Sequence, residues 1–284
     1  MSRVAVIGDV GGHADQLDDL LARLGARTSG GHLALPDDLI VVQVGDLVHK
    51  GPHSRRVLRA VDAFLRRQPG RWIQLLGNHE SLYLDGAPAF TWPGQDTLDG
   101  EDAALLRRWW DRGLLHAAAA VHGRDGQDAL ITHAGLTQMF WWNHLRGTAS
   151  AATAARRLNA MARRGEPALW RYGLMMGRPL TPDAGPIWAE AGHEVILPWT
   201  VLLEEEDVAP PFHQVFGHSC PYDWHTGRWR LPGDIRHYVS ADERRRRVRA
   251  LIGGKSLYAI DPGHGRRPAP AWEPLIIPGA AVTC

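Results

Sequence analysis

The chain has 284 residues, 44% hydrophobic and 22% charged, with Lys+Arg 32 against Asp+Glu 31 and a formal net charge of +1. That length can bury a sizeable core as one large domain or one domain with an insertion, and the charge balance gives no bulk electrostatic reason for specific nucleic-acid binding. The two cysteines, Cys220 and Cys284, cannot build a disulfide scaffold, no apolar run reaches bilayer length, and no charged and apolar leader precedes the first strand, so a soluble cytoplasmic protein is the expectation.

Residues 4–7 are apolar and β-branched and predict a strand; residues 13–24 follow with Leu17, Leu20, Leu21 and Leu24 at helical spacing. Between them lies Gly8-Asp9-Val10-Gly11-Gly12-His13. Gly25 and the Gly30-Gly31 pair end the helix. Residues 39–44 predict a second strand, apolar throughout as in a sheet covered on both faces, and Gly45-Asp46-Leu47-Val48-His49-Lys50-Gly51-Pro52 follows it. The next helix, 54–67, turns Val57, Ala60, Val61 and Phe64 inward and its arginines out. A third strand at 72–76 runs into Gly77-Asn78-His79-Glu80. Three strands separated by helices argue for a mixed, largely parallel sheet.

Beyond Glu80 the pattern loosens. Residues 81–84 could continue a helix, 86–100 read as a loop, and 103–110 as a helix burying Leu105, Leu106 and Trp109. Residues 117–122 and 128–132 predict a hairpin turning at Gly123-Arg124-Asp125-Gly126 and ending at Thr132-His133-Ala134-Gly135. The stretch 137–210 is the least regular: an aromatic helix with Met139, Phe140, Trp141, Trp142 and Leu145, an Ala/Arg-rich helix at 149–164, then segments carrying Trp170, Trp188 and Trp199. It reads as a cap inserted between two polar loops, with its tryptophans serving mainly burial. Short strands at 214–216, 229–231, 248–252 and 256–260 predict a second sheet packed on the first, and Gly217-His218-Ser219 follows the earliest of them. The arginine run at 244–247 lacks interleaved aromatics and reads as a solvated turn or helix face.

Each of the five polar clusters follows an apolar run and contains glycine. All five therefore fall on loops at strand ends, where α/β proteins build sites. Asp9, Asp46, Asn78, His133 and His218 are oxygen and nitrogen donors that together suit two divalent cations. Asn78 taken alone could be a helix cap. His79 beside it can act on substrate as an acid or base.

In order and type the clusters resemble the calcineurin-like metallophosphoesterase superfamily, on its phosphoprotein-phosphatase-like branch, whose signatures are GDxHG, GDxVDRG, GNHE, HGG or HAG, and GH. The resemblance runs from Gly8 to Ser219, and residues 258–263 are similar to the strand and turn that often follow such a site. It implies an α/β fold, a four-layer α-β-β-α metallophosphoesterase sandwich. It also implies a single domain over 1–284, with a helical, Trp-rich cap insertion at about 137–210. The implied activity is phosphoester hydrolysis by a dinuclear metal centre and a bridging hydroxide, on a phosphoprotein or a nucleotide. Asp9, Asp46 and a histidine would hold one ion; Asp46, Asn78, His133 and His218 would hold the other. Manganese is the first expectation, iron or zinc the alternatives. His79 would protonate the leaving oxygen, and Lys50, Asn78 and Arg171 would contact phosphate.

Three departures from the family pattern bear on these expectations. The histidine usually found two residues after the first Asp is Gly11, and His13 is the expected substitute, brought back by a pliable Gly11-Gly12 pair; the competing reading is a helix-start histidine without metal. The Asp that normally orients the general acid is His49. The usual arginine is Lys50, a point charge without the bidentate fork. In addition, Ala189-Glu190 stands where a substrate-side arginine is usual, which makes Arg171 the candidate replacement. These changes keep a second class open: a catalytically weak or inactive member used as a binding or regulatory module.

Overall fold

Alternation along the first strand sets the architecture. In Arg3–Ile7 successive side chains face opposite ways, yet Val4, Ala5, Val6 and Ile7 are all fully buried. Val4 and Val6 pack with Val42, Val44 and Leu75 of the same sheet and with Ala119, Val121, Ile131 and Val215 of a second sheet. Ala5, Ile7 and Val41 pack instead with Leu17, Leu20 and Leu21 of one helix and Val57, Leu58 and Val61 of another. The strand is therefore covered by a sheet on one face and by helices on the other. The structure, a computed structural model, describes residues 2–29, 32–84, 97–123, 128–177, 179–270 and 272–284.

The first sheet has five strands in the order Leu275–Pro278, Arg3–Ile7, Leu39–Gln43, Trp72–Leu75 and Leu115–His116. Its first pair is antiparallel and the others are parallel. The helices Ala14–Arg23 and Ser54–Arg67 supply the crossovers from Arg3–Ile7 to Leu39–Gln43 and from there to Trp72–Leu75. The second sheet has seven strands: Val239–Asp242, Arg247–Ile252, Lys255–Ala259, His213–Phe216, Asp128–Thr132, Ala118–His122 and Ala281–Thr283. Its central strand, His213–Phe216, is parallel to both neighbours, and the outer pairs are antiparallel. The chain's last two strands thus close one edge of each sheet. Among the described residues no helix is long and apolar enough to cross a membrane.

The helix Ala151–Arg164 packs on Ala118–His122 and Asp128–Thr132 through Ala154, Ala155 and Leu158. Its buried Asn159 fixes the docking: the amide oxygen accepts the Ala117 and Ala118 N–H groups at 2.8 and 3.1 Å, and the amide nitrogen donates to the Ala118 carbonyl at 2.8 Å. Helix caps sit where polar residues precede helices: Ser150 accepts from Thr153 N–H, Thr137 from Phe140 N–H, and Asp99 from Asp102 N–H.

The expected helices and strands before Glu80 are found within two residues of their expected limits. The hairpin of 118–122 and 128–132 is present, and the expected strands near 214–216, 248–252 and 256–260 join the second sheet, whereas near 229–231 only Arg228–Trp229 is a strand and it pairs with Tyr222–Asp223 in a separate two-stranded sheet. The Gly30-Gly31 stop, residues 86–96 of the expected loop, and Arg124-Asp125-Gly126 of the hairpin turn lie outside the described residues. The arginine run forms the turn into Arg247–Ile252, with Arg245 paired to Asp242 and Glu273 at 2.9 Å each. Not anticipated were the helix Leu197–Glu206, the strand Val239–Asp242 and the two closing strands. Trp170, Trp188 and Trp199 are buried as expected, whereas Trp142 is 62% exposed.

Asn159→Ala removes three buried hydrogen bonds and leaves two backbone N–H groups and a carbonyl unpaired. The expected loss is about 2–4 kcal/mol of unfolding free energy by urea titration, with no effect on metal content.

Candidate metal centre

The ends of three parallel strands deliver the first sheet's contribution. Asp9 follows Arg3–Ile7, Asp46 follows Leu39–Gln43, and Asn78 and His79 follow Trp72–Leu75. From the second sheet, His133 follows Asp128–Thr132 and His218 follows His213–Phe216. The loops are tied to one another: Gly217 N–H donates to the His133 carbonyl at 2.7 Å, His218 N–H to Asp9 Oδ1 at 3.0 Å, and Val10 and Gly11 N–H to the Asp46 carbonyl at 3.0 and 2.8 Å. Asp46, His49, Lys50 and His218 all carry positive φ, between 56° and 68°, a strained conformation for non-glycine residues that recurs at functional sites.

Glu80, which the sequence offered only as the end of a motif, sets the position of the Asp46 loop. Its Oε2 accepts the N–H groups of Asp46 at 2.8 Å and Gly77 at 3.0 Å, and its Oε1 accepts that of Leu47 at 2.8 Å. Gly77 is required there, because an added Cβ would stand 2.2 Å from Asp46 N and 2.4 Å from Asp46 Oδ1. His79 N–H then donates to Asp46 Oδ1 at 3.1 Å.

Asp46, His133 and His218 form a group of potential metal ligands whose donor atoms all lie within 4.8 Å of one another. The Asn78 amide completes it. One of its terminal atoms lies 3.0 Å from His133 Nε2, 3.1 Å from His218 Nδ1, and 3.0 and 3.3 Å from the two Asp46 carboxylate oxygens. With nitrogen there the amide donates to them; with oxygen there lone pairs converge, and a cation satisfies them. His133 Nδ1–H donates to the Val44 carbonyl at 3.0 Å, which leaves Nε2 unprotonated and facing the group. The residues fit a divalent cation of mixed oxygen and nitrogen coordination.

His79 Nε2 is 3.5 Å from Asp46 Oδ2, and its Nδ1 meets His49 Nδ1 at 2.8 Å. His49 Nε2 in turn lies 2.6 Å from the Tyr83 hydroxyl, which accepts the Leu98 N–H at 3.0 Å. Tyr83, His49 and His79 thus form a hydrogen-bonded chain whose end, His79 Nε2, faces Asp46.

The other named residues lie elsewhere in the arrangement. Asp9 is fully buried and its Oδ2 has no hydrogen-bond partner. Lys50 Nζ stands 3.9 Å from Asp9 Oδ2 and 4.0 Å from Asp46 Oδ2. His13 is outside the compact ligand group: its Nε2 is 2.9 Å from the Gly265 carbonyl and its ring lies against His264. His264 went unnoticed in the sequence; it is buried, its Nδ1 accepts the Ala269 N–H, and its Nε2 has no partner. Arg171 is partly exposed and paired with Asp183. Trp188 lies edge-on to His218 at 6.1 Å between ring centres, and the Ala191 N–H donates to Ser219 Oγ at 3.0 Å, so the segment 185–191 borders the centre.

Burial dominates the ionisation of these groups. It raises Asp9 well above the usual carboxylate range, with Asp261 and Asp46 adding to the effect and Lys50 opposing it. It pushes Asp46 up to about 6 against the pull of Lys50, and Glu80 up to about 8. His133 is brought down to about 3, and His218 well below its ordinary value, also by burial. Burial, then Lys50 and His49, hold His79 well below its ordinary value.

Comparison with known proteins gives three findings. The family model described as calcineurin-like phosphoesterase matches residues 2–229. The bis(5'-nucleosyl)-tetraphosphatase PrpE (asymmetrical) of Halalkalibacterium halodurans is 30% identical over 142 residues, 47% of this chain and 57% of that protein. A symmetrical bis(5'-nucleosyl)-tetraphosphatase of Acidovorax ebreus is 35% identical over 136 residues, 46% of this chain and 43% of that protein. The chain therefore spans about half the length of the curated relatives it matches. Among solved structures, a cold-active protein-tyrosine phosphatase of a Shewanella species shares the fold, with a TM-score of 0.52 at 17% identity, covering 97% of this chain and 74% of that one.

The pH dependence of metal binding follows from Asp46. Its folded value of about 6 lies above the ordinary 3.8. In the metal-free chain the fold therefore favours the protonated carboxyl, and that contribution to stability is lost as pH rises through about 6. A cation must displace this proton. Manganese affinity should rise by roughly tenfold per pH unit up to about pH 6 and level off above it. Calorimetric titrations at stepped pH check this; a flat profile would mean that binding displaces no proton from Asp46.

Proposed function

Because the chain belongs to the calcineurin-like phosphoesterase family, we propose that it is a metal-dependent phosphoester hydrolase acting on nucleotide polyphosphates. The observation that carries the reading is the convergence of the Asn78 amide on Asp46, His133 and His218, with the His79 ring beside them. The proposed centre is dinuclear. One position is formed by Asp46, Asn78, His133 and His218, the other by Asp9, Asp46 and His13, whose ring would exchange the Gly265 carbonyl for the ion. Bound divalent ions would neutralise phosphoryl oxygens and lower the pKa of a bridging water, so that hydroxide is present near neutral pH. The donor set lacks thiolate and suits manganese, iron or zinc.

The chain's own residues do the rest. Lys50 and Asn78 hold the phosphoryl group. Arg171 would add a contact on exchanging Asp183 for phosphate. His79 Nε2–H donates to the leaving oxygen, oriented by His49 and Tyr83. The same reading carries a single domain over 1–284 with a four-layer α-β-β-α arrangement. Residues 137–210 are its insertion, whose part nearest His218, around 185–191, covers the site.

Two arguments favour a phosphoanhydride over a phosphoprotein. Burial and the neighbouring Lys50 and His49 hold His79 neutral, so it can donate a hydrogen bond but yields its proton poorly. A nucleotide leaving from a polyphosphate is a stabilised anion that needs little protonation; a serine alkoxide needs a full proton. The tetraphosphatase names of the two relatives point the same way.

The test is turnover by the manganese-loaded protein of dinucleoside polyphosphates, phosphoserine peptides and an aryl phosphate. Hydrolysis of the polyphosphates with phosphopeptide rates at least about tenfold lower is expected; phosphopeptides as the better substrates would reverse the assignment. No turnover with metal bound would leave the binding-module reading.

His79→Ala should lower kcat for polyphosphates about 10–100-fold, the loss of one hydrogen bond to a charged leaving oxygen, with metal content intact. Loss of metal in this variant would make His79 structural. His13→Ala should lower metal affinity and activity together, with partial rescue by excess manganese; an untouched affinity removes His13 from the ligand set.

A further inference from the structure

Gly11 leaves a gap, and Lys50 fills it. Gly11 has φ +53°, and a Cβ added there would stand 3.2 Å from Lys50 Cδ and 3.4 Å from Lys50 Cβ. The lysine stem therefore crosses the loop where the family pattern has the histidine of the first ion. Its ammonium ends 3.9 Å from Asp9 Oδ2 and 4.0 Å from Asp46 Oδ2. These are charge contacts, longer than hydrogen bonds. Asp9 Oδ2 is buried and accepts no hydrogen bond, and the Lys50 ammonium is a cation beside it. The His13 ring is engaged by the Gly265 carbonyl and does not enter the gap. The positive φ of Lys50, 58°, aims the side chain inward at the expense of backbone strain.

From this geometry we infer that the Lys50 ammonium is the resident cation of the Asp9–Asp46 position. The chain then binds one divalent ion tightly at Asp46, Asn78, His133 and His218, and a second only by displacing Lys50. The inference rests on the metal-dependent reading above and deepens it: the two positions of the centre are unequal, and Lys50 sets the difference. A second divalent ion entering with Lys50 in place would meet a positive charge within a few ångströms. Neighbouring charges at such range move ionisation equilibria by about one to three powers of ten, and a penalty of similar size is expected for the ion. The lysine would return to its phosphate-contacting role once displaced, so occupancy of the second position and phosphate contact by Lys50 go together.

The experiment is titration of the metal-free full chain with manganese, followed by equilibrium dialysis and electron paramagnetic resonance. The native protein should bind one ion tightly, with the hyperfine pattern of an isolated ion, and a second about a hundredfold more weakly. Lys50→Met, which keeps the stem and removes the charge, should tighten only the second ion and give a spin-coupled pair at two equivalents. Two ions of equal affinity in the native protein would overturn the inference while leaving the metal reading intact. So would a folded Lys50→Met with an unchanged second affinity. Absence of any bound ion would remove both. The native titration needs no substitution, so a variant that fails to fold does not protect the idea.

Discussion

The centre depends on one buried carboxylate. Glu80 accepts three backbone N–H groups from two loops, at Asp46, Leu47 and Gly77. Burying a carboxylate is costly, and hydrogen bonds from backbone donors are what make it tolerable. The loops so joined follow the adjacent parallel strands Leu39–Gln43 and Trp72–Leu75, which carry Asp46 on one side and Asn78 and His79 on the other. Glu80 shares the hold on the strained, positive-φ Asp46 backbone with Val10 and Gly11, whose N–H groups donate to the Asp46 carbonyl. The positions of Asp46, Asn78 and His79 are thus one structural quantity.

That quantity is joined to the second sheet by few but short links. His218 N–H reaches Asp9, His133 Nδ1–H reaches Val44, and the Asn78 amide reaches both imidazoles. Beneath them Val4, Val6, Val42 and Val44 pack on Ala129, Ile131 and Val215. Close-packed interiors transmit displacements, so a volume change between the sheets would shift His133 and His218 against Asp46 without touching either. The centre is assembled across an interface between layers, and the packing of that interface belongs to its geometry.

Much of this was legible in the sequence because glycine-containing polar clusters behind apolar runs mark strand ends. Asp46, Asn78, His133 and His218 could be named that way, and the structure brings them together. Glu80 could not, since its partners Asp46 and Leu47 lie over thirty residues upstream and are backbone groups. The direction of His13 was equally hidden, being set by Gly265 at the far end of the chain. Arg171 looked available, but Asp183 holds it. The helix Leu197–Glu206 lacks a strong amphipathic stripe: its buried residues are Trp199 and Thr200, and periodicity had little to detect. The closing strands are three and four residues long with no fully buried position, too short and too exposed for an alternating pattern to stand out.

The three departures from the family pattern make one spatial change. Gly11 in place of histidine opens the gap that the Lys50 stem crosses. Lys50 in place of arginine is slender enough to run through it and end between Asp9 and Asp46. His49 stands in place of Asp, with its ring between His79 and the Tyr83 hydroxyl. The change has a chemical consequence. Burial, then Lys50 and His49, disfavour imidazolium at His79, while Lys50 keeps a positive charge beside Asp9 and Asp46. On the proposed reading, a site that relies more on charge neutralisation than on proton donation suits leaving groups that are already stable anions, as in a phosphoanhydride.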